Sequence, residues 1–350
     1  MKIAVLFDGI SALGKTPDLA ILETVEAVEA ILADDGHEVV RVPVNPDGRW
    51  IERVRRGKFD LAFNLCEGID GVATMEPSVI GALELLDVPF TGSSSWTTSL
   101  CLRKHLVNTL LGTAGLPVPR WGLARPDTPL PTVGFPAICK PAAEDASLGV
   151  EQRSVVRTMR ALSTRLADMH EQWEDVLVQR YIDGREVNVG IVGGTVLPVA
   201  EIDFGAMPRG LWRIVSYRSK WESGCDEDVG AAPRCPADLP EELTAELGRI
   251  ALAAWRAVGG EGYGRVDMRI DRHGRPWILE VNSNPDFSPD AGLARMARTA
   301  GIDYTSLVRL VCDAAISRPR TANDERWARM QRLSGVEPAA TASLMAVGQQ

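Results

Sequence analysis

The segment GYGRVDMRIDRHGRPWILEVNSNP, residues 262–285, is the most informative part of the sequence. Two runs of alternating side chains, at about 263–270 and 276–282, flank the turn residues DRHG. A period of two predicts strands, and a short turn between two such strands predicts a hairpin. This part of the chain is therefore expected to form antiparallel sheet within a mixed α/β (α+β) fold.

One face of this hairpin collects polar side chains. Because side chains of a strand point to opposite faces in turn, Arg265, Asp267 and Arg269 share one face. On the second strand, Glu280 and Asn282 share a face with Ile278. A four-residue turn predicts Asp267 across from Ile278. It also predicts Arg265 across from Glu280, so one face gathers two carboxylates, an amide and a guanidinium.

Those oxygen atoms suit a divalent cation. Carboxylate and amide oxygens are ligands that Mg²⁺ accepts, with phosphates and water completing the shell. The alternative is a solvent-facing strand pair with an Arg–Glu cross-strand bridge. The NSNP segment at 282–285 adds further oxygens and favours the metal site.

The first ninety residues alternate between strand and helix patterns. The predicted strands are KIAVLF, HEVVRVPV, FDLAFNL and VPFTG, and the predicted helices are PDLAILETVEAVEAILADDG and SVIGALELL. Such alternation is typical of a parallel, doubly wound sheet, here a Rossmann-like N-terminal domain.

The pattern changes after about Ser95. One helix, SLCLRKHLVNTLLGTAG, precedes the predicted strands FPAICKP, VLVQRYI, GREVNVGIVGG and TVLPVAEIDF. A long loop at 205–236 is interpreted as a functional lid, since loops of that length are uncommon in compact domains. The helix LPEELTAELGRIALAAWRAVG, the hairpin and two helices up to about Ser317 follow. The predicted divisions are 1–95, 96–182, 183–317 and a mobile tail at 318–350.

Composition narrows the function classes. The chain has 350 residues, 45% of them hydrophobic, and a net charge of −9, which argues against a nucleic-acid partner. No apolar run approaches the roughly 20 residues of a membrane span. The apolar run in the start MKIAVLFDG reaches Asp8 too soon for a signal peptide. Six scattered cysteines are interpreted as reduced thiols. These features predict a cytoplasmic protein without a membrane partner.

Lysine is rare in this arginine-rich chain. Only six of the 38 basic residues are lysine, which suggests that some are kept because a compact point charge is needed. Lys140 ends an apolar strand, Lys104 lies on a predicted helix and Lys220 lies in the lid. Together with the oxygen cluster they predict cations that converge on a polyphosphate.

The segment VLVQRYIDGREVNV completes the pattern. A strand ends at 179–182 and turns at DG, and Glu186 begins the next strand. The backbone of such a turn can bind an adenine edge, and a carboxylate a few residues on can accept hydrogen bonds from both ribose hydroxyls. An ordinary hairpin is the alternative.

In order along the chain, these motifs resemble the D-alanine–D-alanine ligase family of ATP-grasp enzymes. The resemblance extends from the N-terminus to about residue 316 and implies two ATP-grasp modules, at 96–182 and 183–317, that clasp ATP. Lys104 and Lys140 correspond to the residues that contact ATP phosphates, and Lys220 to the one that reaches the γ-phosphate. The resemblance implies that Gln179 and the Ile182 backbone bind adenine and that Glu186 binds the ribose. It implies that Asp267, Glu280 and Asn282 hold two Mg²⁺ ions, with Mn²⁺ as an alternative. It implies that Arg265 stabilises the developing oxyanion.

The implied reaction joins a carboxylate to an amine through an acyl phosphate, releasing ADP and phosphate. The implied partners are small-molecule or peptide-like substrates, and a homodimer is compatible with the family.

The departures from the family pattern fall on the amino-acid side. Leu13, Ala146 and Trp221 stand where the family has Glu, Ser and Tyr, and Ala291–Gly292 stands where it has Ser-Leu. Gln179 replaces the usual hinge Glu. Since a polar site discriminates through its hydrogen-bonding partners, these changes predict a ligase whose substrates are not two D-alanines, used in peptide-like secondary metabolism. The other substrate-side candidates are Lys15, Glu67, Ser147 and Asp286.

Three alternatives stay open: a true D-alanine–D-alanine ligase, a non-catalytic ATP-binding protein, and a P-loop NTPase or kinase. The last rests on GISALGKT, Gly9–Thr16, which matches G-x-x-x-x-G-K-[ST]. Thr16-Pro17-Asp18 is more typical of a helix start after Lys15, whereas a P-loop needs its Gly-Lys-Thr amides inside the first helical turn. Lys15 is left as a candidate contact for a substrate carboxylate.

Overall fold

Three β-sheets organise the part of the chain that the structure describes. The structure is a computed structural model that describes residues 1–9 and 19–318, and Met1–Ala315 form one compact unit. The second unit is Ile316–Gln350, of which the structure describes residues 316–318. The predicted tail at 318–350 therefore lies outside the described residues except for Arg318.

The strands have the following bounds: β1 Lys2–Asp8, β2 Glu38–Val44, β3 Leu61–Asn64, β4 Trp121–Ala124, β5 Ala137–Pro141, β6 Val155–Val156, β7 Val176–Arg180, β8 Gly184–Val192, β9 Thr195–Val196, β10 Ala200–Asp203, β11 Ala232–Arg234, β12 Tyr263–Asp271 and β13 Pro276–Asn282. The helices are α1 Leu19–Asp34, α2 Arg49–Gly57, α3 Glu76–Leu85, α4 Ser95–Cys101, α5 Lys104–Thr113, α6 Met159–Met169, α7 Tyr217–Trp221, α8 Asp226–Val229, α9 Glu241–Ala257, α10 Gly292–Thr299 and α11 Tyr304–Ile316. The predicted mixed α+β class is confirmed.

The N-terminal sheet is parallel, as the alternation predicts, with the order β2-β1-β3. The predicted strand VPFTG is reduced to a single parallel bridge between Phe90 and Ala62. Pro89 has no N–H to donate, and Gly92 has a φ of 95°, so the ladder stops after one pair. Helix α2, absent from the sequence prediction, lies between β2 and β3.

The predicted helix from Ser99 to Gly115 is two helices. The chain leaves helical geometry at Arg103, where φ is −104° and ψ is 82°, and α5 begins at Lys104. The break lets the Lys104 amide donate to the Ala142 carbonyl at 3.0 Å, directly after β5. A tertiary contact therefore overrides the local helical pattern and sets Lys104 beside the loop that follows Lys140.

The lid and the strand before it are also more divided than the sequence predicts. TVLPVAEIDF forms two short strands, β9 and β10, because Pro198 interrupts the ladder. The predicted loop at 205–236 contains α7, α8 and β11.

A β-bulge corrects the predicted hairpin register. The hairpin pairs Ile270 with Pro276, one residue later than a four-residue turn gives, and the register shifts again between Asp267 and Met268. Asp267 therefore lies opposite Glu280, not opposite Ile278. Ile278 pairs with Met268 and is fully buried in the core, so it does not share a face with Glu280 as predicted.

The sheets that follow each turn one face to a helix and one to a common cavity. Helix α6 covers one face of the antiparallel sheet β4-β7-β5-β6. Helices α5 and α9 cover one face of the antiparallel sheet β11-β10-β8-β12-β13, with β9 beside β8. In both sheets the uncovered face carries the polar residues, so the fold places them across a cleft.

Among the described residues, none of the helices has both the length and the apolarity for crossing a membrane. All six cysteines are free thiols, and burial raises the pKa of Cys139 and of Cys312 to about 12.

Candidate active site

A cavity of about 560 Å³ lies between the two antiparallel sheets and the lid. It brings together most of the predicted site residues: Lys104, Lys140, Ala146, Ser147, Gln179, Ile182, Glu186, Lys220, Arg265, Asp267, Glu280, Asp286 and Gly292. Asn282, Glu67, Trp221 and Ala291 are near its wall without lining it, and Leu13 and Lys15 lie outside the described residues. The turn between β7 and β8, residues 181–183, is called the hinge here. A larger, open depression of about 900 Å³ beside the hinge contains only Ile182 of this set.

Two lysines, Lys104 and Lys140, surround the Glu280 carboxylate at one end of the cavity. Lys104 lies there because the helix breaks at Arg103, between α4 and α5. The Lys104 ammonium lies 3.8 Å from Glu280 and also donates to the Glu144 carbonyl. Desolvation lowers the pKa of Lys140. Desolvation works against ionised Glu280, but Lys104, Lys140 and Arg265 outweigh it and lower the pKa of that carboxyl. The excess of positive charge here suits an anionic ligand group.

Asp267 is the most heavily hydrogen-bonded carboxylate of the site. Arg265 donates to both its oxygens, at 2.7 and 2.8 Å, and the side-chain amides of Asn188 and Asn282 add one bond each, at 2.6 and 2.9 Å. Burial raises the pKa of Asp267 and Arg265 opposes that rise. The four donors fix the orientation of the carboxylate.

The donor set fits a magnesium ion that is shared with a phosphate ligand. The described residues contain no group of three His, Cys, Asp or Glu side chains that could hold a metal alone. Two carboxylates and the Asn282 amide oxygen are nevertheless present on paired strands. Mg²⁺ is commonly held by one or two carboxylates and completes its shell with phosphates and water.

The opposite end of the cavity is apolar and ends at the hinge. Ile138, Val150, Tyr181 and Ile214 belong to one buried cluster and line the cavity there. The Ile182 carbonyl already accepts from Arg269 at 2.8 Å. A ligand that contacts the Ile182 backbone therefore has to use its N–H, which suits an acceptor such as a purine nitrogen.

Arg269, which alternation places on the same face as Arg265 and Asp267, has contacts that the sequence did not predict. Its guanidinium donates to Glu186 and to the Arg213 carbonyl of the lid through Nη2, and to the Ile182 carbonyl through Nη1. It thus ties the ribose-side carboxylate, the hinge and the lid to β12. Asn188 was missed, although it follows Glu186 at the strand period on β8 and lies opposite Asp267.

The loop after β5 is strained and joined to the lid. Ala146 and Ser147 have φ of 54° and 62°, values that non-glycine residues rarely adopt and that cluster at functional sites. Ser147 donates to the Val215 carbonyl at 3.1 Å, and the Trp221 indole donates to the Ala146 carbonyl at 3.1 Å. Lys220, beside Trp221, lines the cavity from the lid.

Charged groups of both signs lie on or beside the part of the cavity wall near α10. Desolvation, and then Asp286, raise the pKa of Glu67 to about 7, although its side chain keeps an exposed surface. Ala291 is the N-cap of α10 and Gly292 its first residue. Arg295, one turn further, lines the cavity and was not predicted.

Residues 111–313 match the family described as the D-ala D-ala ligase C-terminus. The chain belongs to the D-alanine–D-alanine ligase family of ATP-grasp enzymes. The D-alanine–D-alanine ligase of Alkalilimnicola ehrlichii is 36% identical over 265 residues, 73% of this chain and 78% of that protein. The uncharacterized protein y4sG of Sinorhizobium fredii is 34% identical over 266 residues, 74% of this chain and 75% of that protein.

The crystal structure of D-alanine–D-alanine ligase from Bacillus anthracis complexed with ATP has the same fold. Its TM-score is 0.74 at 24% identity, and the match covers 91% of this chain and 98% of that chain. As a member of the D-alanine–D-alanine ligase family, the protein is an ATP-dependent ligase.

Proposed function

We propose that the protein is an ADP-forming carboxylate–amine ligase whose substrates are not two D-alanines. One observation carries the proposal: a single cavity joins an apolar hinge end, which suits a base, to a polar end with three of the six lysines of the chain. Asp267 and Glu280 lie directly opposite each other at that end.

The chain's own residues divide the work along the cavity. Lys104, Lys140 and Lys220 neutralise the phosphates of ATP, and Glu186 accepts hydrogen bonds from the ribose. Asp267, Glu280 and Asn282 would hold Mg²⁺, which supplies charge neutralisation to the transferring phosphoryl group. Two Mg²⁺ ions, with Mn²⁺ as the alternative metal, belong to this proposal.

Phosphorylation makes the carboxylate reactive. A carboxylate oxygen is a poor leaving group, whereas the phosphate of an acyl phosphate is a good one, so the amine attacks the acyl carbon and expels phosphate. Arg265 stabilises the negative charge that develops on the acyl oxygen. The lid contacts at Ala146 and Ser147 keep water from the acyl phosphate.

The amino-acid end supports a substrate pair other than D-alanine. Ala146 and Gly292 offer no side-chain hydrogen bonds, and the Trp221 indole is already bonded to the Ala146 carbonyl. Arg295 offers a cation for a carboxylate, and Glu67 and Asp286 offer acceptors for an amine. The proposed setting is peptide-like secondary metabolism, and the proposed location is the cytoplasm. A homodimer is compatible with this function.

A true D-alanine–D-alanine ligase is the second candidate, because several relatives carry that name at 30–36% identity. The P-loop alternative rests on Gly9–Thr16, of which only Gly9 is described. The test is ADP release by the purified protein with Mg²⁺ over amino acids and small dicarboxylates, singly and in pairs, with mass spectrometry of the products.

The variants of this test separate the candidates. We expect release to need a carboxylate and an amine, to be lost in Glu280→Gln, and to survive in Lys15→Ala and in the exposed control Glu242→Gln. Product from D-alanine alone selects the second candidate. Turnover without a carboxylate that Lys15→Ala abolishes refutes the ligase and selects the P-loop.

A further inference from the structure

The open depression beside the hinge concentrates positive charge, although the chain as a whole has a net charge of −9. Its lining includes two aspartates and five arginines, which are Arg120, Arg157, Arg180, Arg272 and Arg275. Its volume of about 900 Å³ is in the range of small-molecule sites.

Most of this charge is not neutralised by the fold. Of the two aspartates, Asp271 pairs with Arg275 at 3.2 Å. Among the described residues that line the depression, only Asp183 then remains as a counter-charge for the other four arginines, and none of these four forms an ion pair with a described carboxylate. The depression therefore keeps a local excess of positive charge.

Two of the arginines are held in place by neutral partners. The Arg180 guanidinium donates to the Phe135 carbonyl, and a Cβ at Gly134 would lie 2.9 Å from its Nη1 atom. The Arg157 guanidinium lies 4.6 Å from the centroid of the Trp212 ring. A carbonyl and an aromatic ring orient a guanidinium without neutralising its charge, so both cations stay available to an anion.

The arginines come from both sides of the hinge. Arg180 ends β7 and Arg157 directly follows β6, so both belong to the sheet β4-β7-β5-β6. Arg272 lies in the turn between β12 and β13 of the other antiparallel sheet. Like charges from two sheets repel each other, whereas an anion between them attracts both.

We propose that the depression is a second ligand site, which binds a small oxyanion with two or more phosphate or carboxylate groups between Arg157, Arg180 and Arg272. Guanidinium groups match the oxygens of carboxylates and phosphates in paired hydrogen bonds. The bound anion links the two sheets from outside the active-site cavity, so it does not displace the nucleotide. This site goes beyond the proposed reaction, because none of the three arginines has a part in it.

The test uses the full chain saturated with Mg²⁺ and the non-hydrolysable ATP analogue AMP-PNP, so that the active-site cavity is occupied. Calorimetry at low ionic strength then follows titration with fructose 1,6-bisphosphate, with tricarballylate and with monovalent acetate. We expect one bisphosphate or tricarboxylate per chain and no saturable binding of acetate. The tighter of the two multivalent probes tells whether phosphate or carboxylate is preferred. Arg157→Gln and Arg272→Gln should each weaken its binding about tenfold, the effect of one lost hydrogen bond between charged groups.

A matched pair of double variants separates a site from general surface charge. Arg157→Gln with Arg272→Gln removes two charges from the depression, and Arg160→Gln with Arg249→Gln removes two exposed charges elsewhere. Both should bind AMP-PNP like the wild-type protein, which shows that they are folded, and only the first should lose the multivalent anion.

Three results would overturn the proposal. They are equal anion binding by the wild-type protein and the first double variant, an equal loss in both double variants, and displacement of AMP-PNP by the anion. If AMP-PNP does not bind at all, the proposed ATP-dependent function fails, and the same titrations on the nucleotide-free variants decide the second site separately.

Discussion

Arg269 and Glu186 form a buried ion pair. The Arg269 Nη2 atom lies 2.8 Å from Glu186 Oε2, and the two side chains are 3% and 12% exposed. Replacement by methionine keeps the length of the side chain but leaves the Glu186 carboxylate buried without its partner. Removing one member of a buried ion pair typically destabilises by about 3–5 kcal/mol. The loss of the bond to the Ile182 carbonyl acts in the same direction, so we expect Arg269→Met to lie in the upper part of that range.

Urea unfolding followed by circular dichroism measures this free energy. The matched control is Arg275→Met, since Arg275 pairs with Asp271 while its own side chain is 66% exposed, and such pairs contribute about 0–1 kcal/mol. The double variant Arg269→Met with Glu186→Gln should be more stable than Arg269→Met alone, because the unpaired charge is gone. If Arg269→Met lowers the unfolding free energy no more than Arg275→Met does, or if Glu186→Gln restores none of the loss, the buried Arg269–Glu186 pair does not act as described.

Three further outcomes are expected. Asn188→Leu removes a hydrogen bond to the buried Asp267 carboxyl group and should lower the unfolding free energy by about 1–3 kcal/mol; an unchanged urea midpoint contradicts the contact with Asp267. Glu67→Gln tests pH dependence: the pKa of Glu67 is raised to about 7 from 4.5, so its ionisation penalises the folded state. The melting temperature of the wild-type protein minus that of Glu67→Gln should therefore fall as the pH rises from about 4.5 to 7, and this difference should not change further above pH 7. A difference that is the same at every pH would refute the raised pKa of Glu67. Leu111→Ala in the fully buried core should cost about 2–5 kcal/mol, against less than about 0.5 for Leu85→Ala, which is 85% exposed; equal costs refute the packing.

Much of the candidate site follows from short-range patterns in the sequence. Strand alternation alone places Arg265 and Asp267 on one face, and the scarcity of lysine singles out Lys104, Lys140 and Lys220, which all line the cavity. The family resemblance and the α+β ATP-grasp fold are confirmed. The roles of the individual residues stay predictions.

What the sequence could not provide depends on contacts between distant segments. The Arg269–Glu186 pair joins β12 to β8, 83 residues apart, and alternation within one strand says nothing about which strand lies beside it. The helix break at Arg103 is favoured by a hydrogen bond to Ala142, which no local propensity reports. Glu280 was placed on the right face with the wrong partner, because both the turn length and the bulge are properties of a paired ladder.

The bulge also has a consequence for how this segment can vary. On β13 the buried residue Ile278 and the site residue Glu280 are two positions apart yet lie on opposite faces, because Leu279 is extra in the ladder. Without Leu279 the two residues would be neighbours in the strand, and alternation would still turn them to opposite faces. The extra residue therefore does not set the face of the carboxylate. It adds an apolar side chain to the cavity wall next to Glu280, since Leu279 lines the cavity. This stretch can thus lose one residue and keep Glu280 on the site face, whereas a polar side chain at Leu279 would change the wall of the site directly.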